Sequence, residues 1–420
     1  MSLNATPSSE RTHIGIFGNR NAGKSTLINA ITGQDLAVVS NVAGTTTDPV
    51  KKAMEILPLG PVVLIDTPGL DDEGELGELR VEKSLQTLNS CDIAIIVFEL
   101  DSALMDMSNP NIKALMSKIK DKQIPYIIVL NKTDEVTLVP LKGHLSTGLG
   151  IEEDKIYLTS ALTGEGIHEL KEGIAHIIPK KKENPLVSDL IGRGDDVVLV
   201  IPIDESAPKG RIILPQQQVI RDALEVGARI HICKDTEYEM MLQSLTDAKN
   251  LLVITDSQAF KKIASLTSEE IRLTSFSILM ARYKGDLEWQ VEGAKVLSEL
   301  RDGDKVLISE GCTHHRQCND IGTVKLPKWV DAFSKANVDY TFTSGGEFPT
   351  DLSPYRLIIH CGACTLNAEQ MKHRIDSAKT AGVPITNYGT AIAYMNGILD
   401  RCVAQLKGKL CQQKITQKKY

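Results

Sequence analysis

Aromatic rings are scarce: Phe, Trp and Tyr together make up 4% of the 420 residues. A surface that holds single-stranded nucleic acid by stacking bases needs such rings, which counts against that class. Cationic excess is also missing. Lys and Arg number 47 against 54 Asp and Glu, a formal net charge of −7, so a broadly basic nucleic-acid surface is excluded. Eight cysteines are too few for a disulfide scaffold at this length. The longest apolar runs, such as the one ending at Ile203, are strand-sized and far below the ~18 residues of a membrane helix. The start, MSLNATPSSERTH, has no apolar signal segment. These absences predict a soluble cytoplasmic protein with no membrane or nucleic-acid partner, its thiols reduced or metal-bound.

What remains is a globular composition, 42% hydrophobic and 24% charged. At roughly 150 residues per domain the length predicts two or three domains. Short apolar runs alternate with amphipathic helical patterns along three successive stretches. Strands are expected at Thr12–Gly18, Val62–Asp66, Ile93–Leu100 and Ile124–Asn131, then within VVLVIPI, RIHIC and LLVIT, then at Lys305–Ser309, Val338–Phe342 and Arg356–His360. Such alternation is the pattern of α/β domains with parallel sheets. The expected bounds are 1–178, a charged Pro-bounded linker 179–194, 195–268, 269–404, and a Lys-rich tail 405–420.

The first stretch carries GNRNAGKS, Gly18 to Ser25, between a strand and a helix, which fits the phosphate-binding P-loop. Its glycines let the backbone curl so that N–H groups face phosphate oxygens. Asn19, Asn21, Ala22, Gly23, Lys24, Ser25 and Thr26 form this cradle. Lys24 neutralises the β/γ-phosphates, and Ser25 offers its hydroxyl to Mg²⁺. Asp66-Thr67-Pro68-Gly69 follows the next apolar strand, with Asp66 holding Mg²⁺ through water and the Gly69 N–H meeting the γ-phosphate. Asn131-Lys132-Thr133-Asp134 comes after a further strand. The Asp134 carboxylate can accept from guanine N1–H and the 2-amino group, donors that adenine lacks. Thr159-Ser160-Ala161 follows a short strand, with Ser160 and Ala161 against the base. Four segments in this order at strand ends make the N-terminal part a P-loop GTPase, with GTP and Mg²⁺ as its ligands, and leave two smaller parallel-sheet α/β domains behind it.

These residues resemble the Era/TrmE-like GTPases. AGTTTDP, Ala43 to Pro49, is similar to their first switch, which implies Thr46 as a Mg²⁺ ligand and Lys24, Thr46 and Gly69 as catalytic. Leu70 stands where Ras-like enzymes carry a water-orienting glutamine, so unaided hydrolysis should be slow. Asn21 takes the position that in similar GTPases holds K⁺ against the phosphates, where the ion would stabilise developing charge.

Chemistry concentrates again near the C-terminus. EGCTHHRQC follows the strand KVLIS and supplies Cys312 and His314; HCGAC follows RLII and supplies His360, Cys361 and Cys364. Ligands of doubly wound sheets bind beyond the C-terminal strand ends. If the two strands are neighbours, three thiolates converge, a donor set for Zn²⁺ or an iron–sulfur cluster. A single C-x-x-C knuckle favours the cluster, with His314 or His360 as candidates for a fourth ligand. Cys91 and Cys233 read as buried apolar residues.

The whole chain resembles the HydF family, GTPases and scaffolds that mature [FeFe]-hydrogenase. The resemblance rests on the GTPase motifs together with Cys312-Thr313-His314 and His360-Cys361-Gly362-Ala363-Cys364. It extends to KGRIILPQQQVIRD and TSFSILMARYKGDL. It implies a central dimerisation domain, a homodimer, and a 4Fe–4S cluster on Cys312, Cys361 and Cys364. It also implies two radical-SAM maturases and apo-[FeFe]-hydrogenase as partners. Because the two chemistries sit in different stretches, Lys24→Ala should abolish GTP turnover and leave iron binding intact. Cys361→Ser should do the reverse; loss of iron from the Lys24 variant would contradict this separation.

Overall fold

Most of the short apolar runs form strands where the pattern placed them, in a computed structural model that describes residues 6–33, 49–71, 75–136, 142–177, 184–203, 212–248, 250–312 and 320–406. Thr46, His314 and the tail beyond 406 lie outside the described residues. The chain divides into two units, Met1–Lys182 and Glu183–Tyr420. Among the described residues no helix is long and apolar enough to cross a membrane.

The first unit holds β1 (Thr12–Gly18), β2 (Val50–Ile56), β3 (Gly60–Asp66), β4 (Ile93–Glu99), β5 (Tyr126–Asn131) and β6 (Ile156–Leu158). Their spatial order is β2-β3-β1-β4-β5-β6, and β2 alone runs antiparallel. The inner strands are buried on both faces, and successive residues serve opposite cores. In β4, Ile93, Ile95 and Val97 join one cluster while Ala94, Ile96 and Phe98 join the other. The sequence reading did not assign β2. Its VKKAMEI is half exposed, and lysines suited to an edge strand break the apolar pattern.

The second unit contains two four-stranded parallel sheets. One is built from β7 (Asp196–Val200), β8 (Arg229–Cys233), β9 (Leu252–Thr255) and β10 (Arg272–Ser275), in the order β10-β9-β7-β8. The other uses β11 (Lys305–Ser309), β12 (Asp339–Thr343), β13 (Leu357–His360) and β14 (Ile385–Asn387), ordered β12-β11-β13-β14. β10 and β14, of four and three residues, are too short to carry a periodic signal.

The two sheets share one core. Val197 and Leu199 of β7 belong to the same buried cluster as Val306 and Ile308 of β11, and the helix Phe276–Lys284 adds Ile278, Leu279 and Met280 to it. Leu307 and Ile358 face the other way, into a smaller cluster with Met371 and Ile375. This arrangement moves two expected boundaries. β10 pairs with β9, so the first of these sheets continues past residue 268. Leu186, Val187, Leu190 and Ile191 are buried in the shared core, so this part of 179–194 is packed rather than linking. Ile308 is fully buried there. Ile308→Ala should cost about 2–5 kcal/mol in denaturant unfolding followed by circular dichroism, and a loss near zero would contradict a tightly packed shared core.

Candidate nucleotide and thiol sites

Gly18 and Gly23 shape the phosphate loop for steric reasons. Gly18 has φ 147°, and a Cβ there would stand 2.2 Å from the Val97 carbonyl oxygen. Gly23 has φ 88°, and its Cβ would meet Asn131 Nδ2 at 2.2 Å. The loop then enters the helix Lys24–Thr32. Lys24 is buried, its Nζ donating to Gly18 O at 3.0 Å and Asn19 O at 2.7 Å. The ammonium is thus held inside the curl that phosphate oxygens would enter. Ser25 Oγ donates to Asp66 Oδ2 at 2.5 Å, which brings together two residues, 41 positions apart, that the sequence reading assigned to Mg²⁺. Burial raises the Asp66 carboxyl above its usual range, against the opposing effects of Ser25 and Lys24.

Asn131 joins the phosphate loop to the base-reading segments. Its Nδ2 donates to Ala22 O at 3.1 Å, while its Oδ1 accepts from Thr159 Oγ1 at 3.2 Å and the Ala161 N–H at 3.0 Å. Lys132 follows with φ 64°, its Nζ donating to Glu99 Oε1 at 2.9 Å. Asp134 is exposed and Ser160 buried, the Ser160 Oγ accepting the Thr163 N–H at 3.1 Å. Asn21 is exposed with φ 63°, and Thr26 is exposed on the helix's first turn. At the second switch, Leu70 donates its N–H to Gly18 O at 3.3 Å, and its side chain is fully buried. The sequence reading missed two residues that brace these loops. Asp106 accepts from Asn19 Nδ2 at 2.9 Å, and Asn111 Nδ2 donates to Leu70 O at 2.8 Å. Neither lies in a recognisable motif.

In the second unit, β11 and β13 are neighbours, with Ser309 opposite His360. Cys312 and the Cys361/Cys364 pair therefore leave adjacent strand ends. Cys361 Sγ accepts the Gly311 N–H at 3.1 Å and the Ala363 N–H at 3.4 Å. Ala363 adopts φ 53°, the left-handed turn that points its N–H back at the sulfur. Burial pushes the Cys312 thiol up to about 12, with Cys361 and Cys364 adding to the shift, and pushes Cys361 up to about 11. Cys364 is raised by burial against the pull of Lys284. Three soft donors at one edge, one of them cradled by backbone N–H groups, suit an iron–sulfur cluster chemically. Among the described residues no three His, Cys, Asp or Glu side chains are gathered closely enough to hold a metal ion.

His360 is differently engaged. It is fully buried, Nδ1–H donating to Cys361 O at 2.8 Å and Nε2 accepting from Arg374 at 2.8 Å. Both ring nitrogens are committed, so in this arrangement His360 offers no lone pair to a metal. Burial and the Arg374 charge pull its pKa down to about 3. Glu310 and Lys284 are also buried beside the thiols; Tyr388 OH donates to Glu310 Oε1 at 3.1 Å, and Lys284 Nζ to Leu366 O at 2.9 Å. Position next to Gly311-Cys312 was the one sequence signal for Glu310. Cys91, Cys233 and Cys402 are buried.

Three family matches cover most of the chain. Residues 13–132 match the family described as 50S ribosome-binding GTPase, 186–285 the hydrogen maturase F dimerization domain, and 288–405 the hydrogen maturase F tetramerization domain. GTPase Era of Carboxydothermus hydrogenoformans is 32% identical over 171 residues, 40% of this chain and 55% of that protein. The tRNA modification GTPase MnmE of Legionella pneumophila is 36% identical over 164 residues, 39% of this chain and 34% of MnmE. The chain thus spans about half or less of these relatives. A solved structure of Aquifex aeolicus Era bound to GDP·AlF4⁻ is 21% identical, with a TM-score of 0.35, covering 53% of this chain and 92% of that one. The N-terminal domain is a GTPase domain that binds GTP and Mg²⁺.

If Asp66 serves Mg²⁺ as its place after β3 predicts, it does so as the carboxylate, and burial favours its neutral form. Acidification should therefore raise the Mg²⁺ concentration that half-saturates GTP hydrolysis, beginning above the ordinary Asp value of about 3.9. Asp66→Asn should remove that pH-dependent component. A Mg²⁺ requirement that stays flat from neutrality down to the ordinary Asp range would refute the assignment.

Proposed function

Because the chain belongs to the hydrogen maturase F family, the GTPases of hydrogenase maturation, we propose that it is a GTP-switched scaffold. It holds a 4Fe–4S cluster on Cys312, Cys361 and Cys364, and assembles or delivers the diiron precursor to apo-[FeFe]-hydrogenase. The observation that carries this reading is the pairing of β11 with β13, which sends all three cysteines to one sheet edge. Two radical-SAM maturases would supply the precursor, which is cargo rather than resident cofactor. The cluster, when bound, would offer an iron site open to exchange. His314 remains the candidate for its fourth position, since both nitrogens of His360 are taken.

In the GTPase unit, Lys24 neutralises the phosphates, Ser25, Thr46 and Asp66 serve Mg²⁺, and Asp134 selects guanine. Asn21 holds K⁺, whose charge assists the transition state that buried Leu70 does not. Thr46 and Gly69 would be ordered by the γ-phosphate and released on hydrolysis. The consequence reaches the cysteines through altered docking rather than through chemistry on the cluster. The oligomerisation domains cover 186–285 and 288–405, and the second range contains all three cysteines. Assembly and cluster chemistry therefore draw on the same stretch of chain, in a homodimer or larger oligomer.

Anaerobic reconstitution tests the proposal. Iron and sulfide should be taken up with broad visible charge-transfer absorbance, and GTP turnover should be faster in K⁺ than in Na⁺. A colourless protein with stoichiometric zinc would overturn the cluster assignment, and equal turnover in the two salts would overturn the role of Asn21.

A further inference from the structure

The turn after β3 is seated by a series of hydrogen bonds. Thr67 Oγ1 donates to Ile16 O at 2.6 Å, Ser84 Oγ to Pro68 O at 3.1 Å, and Asn111 Nδ2 to Leu70 O at 2.8 Å. The Leu70 N–H donates to Gly18 O at 3.3 Å, the carbonyl that also takes Lys24 Nζ. Every acceptor in this series is a neutral carbonyl. The next residue brings a charge: Asp71 Oδ1 accepts the Arg20 backbone N–H at 2.5 Å. Arg20 stands inside the GNRNAGKS curl, whose N–H groups are its means of holding phosphate oxygens. One of those donors is given to a carboxylate of the protein itself. Gly69 lies at the same point. A Cβ on Gly69 would stand 2.9 Å from Asp71 Oδ1 and 3.0 Å from the Arg20 nitrogen. The glycine read as meeting the γ-phosphate and the Asp71 carboxylate therefore share one small space.

We propose that Asp71 is a specificity-determining residue of the nucleotide site: its carboxylate competes with the terminal phosphate at the Arg20 N–H and so weakens GTP relative to GDP. The proposal rests on the switch reading given above, in which Gly69 meets the γ-phosphate. A carboxylate and a phosphate oxygen repel at this range and compete for the same donor. GDP, with one phosphate fewer, leaves Asp71 in place. GTP displaces it, and the turn loses its charged tie to the phosphate loop while Thr67 and Pro68 keep their own partners. Nucleotide preference is the difference between these two affinities. Asp71 is exposed, so water takes up the displaced carboxylate. The effect is then that of one charge-assisted hydrogen bond at a solvated site, about tenfold in affinity.

The test uses full-length wild type, Asp71→Asn, Asp71→Ala and Asp121→Asn. Calorimetric titration gives the affinities for GDP and for a non-hydrolysable GTP analogue, and hydrogen exchange across 67–71 is followed with each nucleotide. Asp71→Asn keeps an acceptor for the Arg20 N–H without its charge, so the analogue should bind about tenfold more tightly while GDP affinity holds. Asp71→Ala should shift the ratio of the two affinities in the same direction. Asp121, an exposed carboxylate at the end of the helix Pro110–Asp121, is the control. An equal shift in Asp121→Asn would trace the effect to overall charge and overturn the proposal. A merely structural role for Asp71 predicts equal loss for both nucleotides, and that result also overturns it. In wild type, exchange across 67–71 should differ between the two nucleotides. Identical exchange would sink the switch reading and this proposal with it. Differing exchange with an unchanged affinity ratio in both Asp71 variants would remove Asp71 alone and leave the switch standing.

Discussion

Parallel strands joined by helices all finish on the same edge of their sheet, where the backbone leaves the ladder and its polar groups become available to loops and ligands. Both units are organised by that constraint. In the first, the ends of β1, β3 and β5 present the phosphate loop, the Asp66 turn and the Asn131 segment. In the second, the ends of β11 and β13 present the thiols. Residues distant in sequence meet because their strands are hydrogen-bonded neighbours.

The two edges are stabilised in opposite ways. The nucleotide edge is tied together by its own hydrogen bonds: Asn131 uses both ends of its amide to tie three loops together, and Lys24 is capped by carbonyls of the loop it belongs to. The thiol edge is packed from groups that burial disfavours in their charged forms. Glu310, Lys284 and Arg374 are buried near three partly exposed cysteines.

Much of this was legible from residue order. The GTPase motifs were readable because their glycines, lysine and carboxylates answer to phosphate and guanine, whatever the surrounding fold. Strands buried on both faces announced themselves as apolar runs. β2 escaped because its two lysines mask a half-buried alternation, and β14 because three residues hold no period. The shared core was invisible for a different reason. A helix such as Phe276–Lys284, buried almost throughout including Arg282 and Lys284, looks amphipathic in sequence and carries no mark of the second sheet it will touch. His360 looked like a ligand by its place beside Cys361, and its contacts with Arg374, fourteen positions on, and with the Cys361 carbonyl show that its nitrogens are spent.

Leu70 is sealed into the core of the first unit, with its N–H given to Gly18 and its carbonyl taken by Asn111. A side chain held there has no means of aiming a water molecule at a phosphate. In the proposed switch, the dwell time of the triphosphate state would be governed from outside that turn, by an ion, another loop or a second subunit that completes the site. In that proposal hydrolysis would report that assembly has occurred, and the nucleotide would act as a record of contact.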